Sequence, residues 1–320
     1  MISQEEQQQL RERFSPDGSL LRRQQLRMLE LLLEVDSICK HHQIRYWLSS
    51  GTLIGAARHA GFIPWDDDLD IEMLLEDYER LMRVLPDELP PTMALQSTRT
   101  DKNYFYFYAK VRDRRSFLAE SNHYDRVWKE RGIYIDIFPF YKQPLWIHKL
   151  SELAQGHVYK IMREERGERR EERTPNIQTT KRPNDQTTKG REERGERREE
   201  RTPNIQTTKR PNDQRERGES VAGMWKVRFI TRFNERILFP LLRGVCRFSN
   251  ARETYGLGIP YHDPRHMEDI FPLTEAEFEG HLFPVPKDTH RVLTLKYGDY
   301  MRLPDLDTLH PHVGELRIEE

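Results

Sequence analysis

The sequence predicts a mixed α/β (α+β) fold in which a short mixed sheet carries carboxylates and helices cover it. Three observations carry that expectation. Asp68-Leu69-Asp70-Ile71-Glu72-Met73 alternates acid and aliphatic with a two-residue period, so a strand here turns Asp68, Asp70 and Glu72 to one face and Leu69, Ile71 and Met73 to a core. Met28, Leu32, Val35 and Cys39, widened by Leu29 and Leu33, recur at helical spacing and predict an amphipathic helix over 20–42. Ile133, Ile135 and Ile137 make one face of a second strand within 131–140, and Asp136 points the other way between Tyr134 and Phe138.

At 320 residues the chain is long enough for a sizeable core. Its 52 basic and 53 acidic residues leave a net charge of −1, so no global field draws it to nucleic acid. The polar N-terminus has no apolar stretch of a leader, and no run approaches the roughly 18 apolar residues of a spanning helix. A cytoplasmic protein is expected, reaching at most to the inner face of a membrane. Cys39 and Cys246, the only two cysteines, lie in apolar helical patterns and read as core residues, not as a disulfide or a zinc site.

In chain order, Tyr46-Trp47-Leu48 reads as a short buried strand. At Ser50-Gly51 a turn follows, where a missing side chain lets a phosphate approach the backbone, and residues 52–58 read as a short helix whose first amides can meet that phosphate. Residues 75–85 predict a helix ended by Pro86 and the pair Pro90-Pro91. Residues 104–112 read as a strand. Phe105, Phe107, Ala109 and Val111 share one face of it, and Tyr104, Tyr106, Tyr108, Lys110 and Arg112 the other.

After a helical stretch at 145–162 the composition changes. The 24 letters from Arg163 to Gln186 recur unchanged from Arg191 to Gln214, a period of 28, and Ile177 and Ile205 are the only large aliphatics between 163 and 219. Such a segment cannot bury enough apolar surface to offset its ordering entropy, and it predicts a disordered, duplicated insertion looped out of one domain. Residues 221–248 carry the apolar stripe Trp225, Phe229, Phe233 and Ile237 beside Arg228, Arg232, Arg236, Arg243 and Arg247, with Pro240 kinking or splitting the helix. That pattern is expected to pack on the protein's own core, ahead of a peripheral membrane contact as the alternative. Phe278 to Phe283 predicts two strands about a glycine turn, and Asp288 the cap of a helix that ends before Gly298.

Strand, glycine turn, helix, loop, then a strand bearing Asp-x-Asp is the outline of a nucleotidyltransferase-like core. The run GTLIGAARHAGFIPWDDDLDIEM (51–73), the segment AKVRD (109–113), RGIYIDIFPF (131–140) and the closing FEG, PVP and YGDYM resemble the LicD family, phosphocholine transferases related to fukutin. The resemblance implies transfer of phosphocholine, or a similar phospho head group, from a CDP-choline-like donor to a hydroxyl of a glycan or glycolipid such as lipopolysaccharide or teichoic acid. A nucleotidyltransferase using an NTP and a CDP-alditol phosphate transferase are the alternatives. It further implies Asp68, Asp70 and Asp136 as catalytic ligands of Mg2+ or Mn2+, with Asp66 as an outer ligand. Ser50, Gly51, Thr52, Lys110 and Arg112 fall to the donor phosphates. The implied organisation is a polar tail (1–20), a catalytic core (21–162), the charged insertion (163–219), the helical and C-terminal part of the same domain (220–306) and a tail (307–320). Oligomeric state has no signature in the sequence.

Overall fold

The computed structural model describes residues 2–120, 124–165, 221–249, 251, 253–260, 263–309 and 315–318. Most of the segment expected as an insertion lies outside the described residues, apart from its first three, which belong to a helix.

Helix α1 (Gln4–Phe14) precedes α2 (Leu20–His41), which starts where the Ser19 hydroxyl accepts from the Arg22 amide. The buried positions of α2 include Met28, Leu31, Leu32, Val35, Ile38 and Cys39, as its spacing requires. Strand β1 (Trp47–Leu48) leads into α3 (Ser50–Ile54), whose last turn widens to a π turn at Gly55–His59. Strand β2 (Asp70–Leu74) runs into α4 (Leu75–Glu88), followed by β3 (Met93–Gln96), β4 (Ala109–Asp113), β5 (Ser116–Leu118) and β6 (Tyr134–Lys142). Then come α5 (Leu145–Glu165), α6 (Val221–Phe233), a second π turn at Asn234–Leu238 and α7 (Phe239–Cys246). The described chain closes with β7 (Glu253–Tyr255), β8 (Arg265–His266), α8 (Met267–Ile270), the hairpin β9 (Thr274–Phe278) and β10 (His281–Val285), α9 (Thr289–Tyr297) and β11 (Leu316–Ile318).

The main sheet has the order β1-β2-β6-β4-β3 and is extended through β6 by β7 and β8. Strands β2 and β6 are parallel and their neighbours antiparallel, so the sheet is mixed. Leu69, Ile71, Met73, Ala109, Val111, Ile133, Ile135 and Ile137 form the core with α2 and α4 on one side of it. The opposite face is unusual for a sheet interior: Glu72, Lys110, Arg112 and Asp136 are all buried there.

Five expectations are revised. Helix α4 continues to Glu88 with Pro86 inside it, because a proline in the last turn forfeits one backbone bond and the helix ends anyway at Leu89. Residues 104–108 are not strand: Tyr104, Phe105 and Tyr106 are consecutive and all buried, packed with Trp128, Val158, Met162, Met224 and Val227. A strand alternates sides, and a chain surrounded by helices and an indole has no need to. Asp68 lies just before β2, on the loop entering it.

The stripe of α6 faces outward. The buried positions are Met224, Val227, Thr231 and Asn234, whereas Trp225, Phe229, Phe233 and Ile237 are exposed. Pro240 does not split this helix, since the wide turn before it absorbs the missing N–H and α7 continues.

Candidate active site

Two loops and three strands build the site. Asp70 and Asp136 are register partners on the parallel strands β2 and β6, which sets their Cα atoms about 4.8 Å apart. Lys110 is the register partner of Asp136 on β4, and Gln96 that of Lys110 on β3. One row across four strands therefore reads Asp70, Asp136, Lys110, Gln96. Residues widely separated in sequence meet because a period of two puts all of them on the face away from α2 and α4.

The loop before β2 is held from beneath. Gln24 and Gln25 of α2 are buried and donate to the carbonyls of Asp67 and Asp66 at 2.7 and 2.9 Å. Arg58 donates to the carbonyls of Tyr300 and Arg302. Glu279, at the tip of the β9–β10 hairpin, binds Arg11 and Arg22 and accepts from the Phe62 amide. Trp65 is wedged edge-on between Phe14 and His59. The acids are thereby fixed by an N-terminal helix pair and by a C-terminal hairpin.

Gly51 has a specific reason to be glycine. A Cβ there would stand 2.5 Å from Oδ2 of Asp66, so the missing side chain admits a carboxylate of the same chain over the start of α3. The preceding Ser50 holds a left-handed φ of 52°. Its hydroxyl accepts from Lys296 Nζ at 2.8 Å. Thr52 is buried, and its Oγ1 accepts from the Asp70 amide at 2.9 Å, so it pins the first residue of β2 to α3.

Charge is unevenly distributed over this face. Asp70 is pushed well above the usual carboxylate range by burial and by the charges of Asp68 and Asp136; Asp66 is raised by burial and by Asp68, Asp67 and Asp70. Burial also raises Asp136, to about 6, against the pull of Lys110, whose Nζ donates to Oδ1 at 2.7 Å. That ammonium also sits 3.3 Å from the centre of the Tyr134 ring.

Arg112 stands apart from this group. It is fully buried and spends its guanidinium on Gln96, the Gly132 carbonyl and Glu120 at 2.6, 2.8 and 2.8 Å, which makes it an internal brace between strands.

Two further residues are scarcely marked in the sequence. Arg265 holds Glu72 with two bonds of 2.9 and 2.5 Å, assisted by Trp47 and Ser49, and a pair 193 positions apart leaves no local pattern. Lys296 reaches Ser50 from α9; its only sequence signal is its place one residue before YGDYM. Burial and the nearby Arg265 lower its pKa.

The family profile described as LicD/FKTN/FKRP, nucleotidyltransferase domain, matches residues 43–165, which hold β1, α3, β2, β4 and β6 with Asp66, Asp68, Asp70, Lys110 and Asp136. Residues 43–165 are thus similar to the LicD-type domain. The chain is 50% identical over 64 residues to the lipopolysaccharide cholinephosphotransferase LicD of Haemophilus influenzae, covering 20% of this chain and 24% of that protein. It is 32% identical over 98 residues to human ribitol 5-phosphate transferase FKRP, covering 31% of this chain and 17% of that one. The matches thus span a quarter or less of the length of these relatives. Both relatives are named as phosphotransferases. The glycine turn and the acidic loop belong to the LicD-type domain; Arg265 and Lys296 lie beyond the matched residues.

Proposed function

We propose that this chain is a metal-dependent phosphotransferase that moves phosphocholine or a similar phospho head group from a CDP-linked donor to a hydroxyl of a cell-surface glycan. The observation that carries this reading is the row Asp70–Asp136–Lys110, with Asp66 and Asp68 on the loop that enters it, inside a segment of LicD type. An alditol phosphate such as ribitol phosphate is the nearest substitute head group, by analogy with the second relative.

A divalent cation, Mg2+ or Mn2+, fits the residues present. Asp66, Asp68, Asp70 and Asp136 bring four carboxylates to a corner whose nearest ammonium groups are Lys110 and Lys296, and burial and mutual repulsion, which raise Asp66 and Asp70, are both relieved by a bound cation. Among the described residues no three His, Cys, Asp or Glu side chains are grouped so as to hold a metal ion on their own, so an ion here would have to draw on water and substrate phosphate oxygens beside one or two carboxylates, as Mg2+ commonly does. When bound, the ion would neutralise charge on the donor phosphates.

The chain's own groups divide the remaining work. Asp68 and Asp70 would hold the cation. Asp136, with one oxygen taken by Lys110, would offer the other to the ion or to the proton of the attacking hydroxyl. Lys296 and Ser50 would orient the donor phosphates at the start of α3, and Lys110 keeps Asp136 aimed.

A donor screen tests the reading. Purified protein is incubated with CDP-choline, CDP-ribitol or NTPs, with Mg2+ or with chelator, plus lipopolysaccharide, and released nucleotide is identified by mass. Metal-dependent CMP from a CDP donor is the expected result; pyrophosphate from an NTP would instead make it a nucleotidyltransferase, and no nucleotide release from any donor would remove the enzyme assignment.

A further inference from the structure

Helix α5 and the long α6–α7 unit lie side by side and antiparallel. Val158 and Met162 near the end of α5 pack with Met224 and Val227 at the start of α6, while Ile147 near the beginning of α5 packs with Phe239, Leu242 and Cys246 of α7. Their inner faces cover the aromatic loop at 104–108, which leads directly to Lys110.

Their outer faces are unlike the rest of the protein. Between 224 and 248 the exposed residues are Trp225, Lys226, Phe229, Arg232, Phe233, Arg236, Ile237, Pro240, Leu241, Val245, Arg247 and Phe248; every one is apolar or cationic. Trp225 is 60% exposed, Phe229 67% and Phe248 93%. On α5 the same holds for Trp146, Lys149, Leu150, Leu153 and Lys160. Glu235, the acid within α6–α7, is only part-exposed and accepts from Thr98 and Arg99.

The π turn limits the winding of the stripe. Steps of four residues, 225-229-233-237-241-245, overshoot a 3.6-residue turn by about 40° each and would wind around the helix. One wide turn in the middle absorbs an extra residue and takes back about half of that drift, and the apolar line runs roughly 35 Å from Trp225 to Phe248. A continuous aromatic and aliphatic ridge bordered only by arginine and lysine combines the apolar face of an interfacial helix with the charge that anionic headgroups attract.

We infer that the outer face of α5 and α6–α7 docks on an anionic phospholipid bilayer, with Trp225, Phe229 and Phe233 entering the headgroup region and Arg232, Arg236 and Arg247 meeting lipid phosphates. Among the described residues no helix is long and apolar enough to cross a membrane, so the contact is peripheral. The surface is independent of the transfer chemistry. It would bring the domain to the layer where a lipid-anchored acceptor resides.

Co-sedimentation with vesicles tests this without reference to activity. The full chain is mixed with vesicles of phosphatidylcholine alone or of phosphatidylcholine with an equal part of phosphatidylglycerol. Binding is expected to the anionic vesicles, weakened by salt, with a blue shift of tryptophan emission. The triple variant Trp225→Ser, Phe229→Ser, Phe233→Ser should lose at least tenfold in partition. Arg232→Gln, Arg236→Gln and Arg247→Gln should each lose about fivefold. Because these side chains are exposed, melting temperatures should match wild type, and circular dichroism checks that the variants are folded. Equal binding by the triple variant, or no binding of wild type to anionic vesicles, overturns the proposal. So does a stable dimer that the triple variant breaks, which would make the ridge a contact between two copies of this chain.

Discussion

Glu72 and Asp70 sit two residues apart on the same face of β2, and the protein treats them oppositely. Glu72 is enclosed: Arg265, Ser49 and Trp47 occupy its oxygens, and although burial alone would raise it, Arg265 holds it down at about 2. Asp70 is raised by burial and by two further acids, which outweigh the pull of Lys296 and Lys110, and Lys110 is already bonded to Asp136. The first acid is a finished ion pair and the second an unfinished one. An acid that keeps its charge deficit in a folded protein costs stability, and such costs gather where function requires them.

Substitutions at the two positions should therefore part company. Asp70→Asn is expected to lower CMP release by about a thousandfold or more, while the melting temperature stays level or rises, because a repelling charge is gone. A variant that keeps its activity would take Asp70 out of the site. Glu72→Gln should do the reverse to the fold: it leaves Arg265 buried without its carboxylate, at about 3–5 kcal/mol, readable by urea denaturation. Replacing both partners, Glu72→Met with Arg265→Met, should recover most of that loss, and failure to recover would show that the pair does more than neutralise itself.

Gly51→Ala gives a smaller effect that sharpens the contrast. The new Cβ displaces the Asp66 carboxylate, so activity should fall about tenfold with stability changed by no more than about 1 kcal/mol. The smallest effect is a pH dependence at the base of the loop. His59 Nε2 accepts from Arg58 at 2.8 Å and Nδ1 faces the Gln7 oxygen, so the ring is held neutral; burial, Arg58 and Arg11 lower its pKa from 6.5 to about 3. The unfolded chain then takes up a proton that the folded one refuses, and stability falls as pH drops from about 6.5 towards 3. His59→Gln should flatten that part of the melting-temperature profile relative to wild type; an unchanged slope would assign it to the carboxylates.

Much of this was legible because the relevant signals are local. Alternation in 68–73 and 131–140 places β2 and β6, and the parallel register that brings Asp70 beside Asp136 follows once both strands face the same helices. Asp288 caps α9 and the Glu279-Gly280 turn closes the hairpin as their residue types require. What was not legible depends on distant partners. The strand expected at 104–108 is a loop because helices 50 and 120 residues downstream surround it, as Gln155 donating to the Phe105 carbonyl shows. Arg112 has the spacing of a phosphate ligand, yet Glu120 and a carbonyl at Gly132 claim it. For α6, periodicity revealed an apolar stripe but could not say which neighbour it meets.

The antiparallel pairing of α5 with α6 has one more consequence. Glu165 and Val221 end and begin two helices packed flank to flank, so the chain departs and returns at neighbouring points of the fold. A doubling of whatever joins two such points costs only about 0.6 kcal/mol in closure entropy. Copying a 28-residue unit there changes the length of the molecule while leaving the packed elements energetically almost indifferent to it, which is how the middle of a domain can carry a tandem duplication.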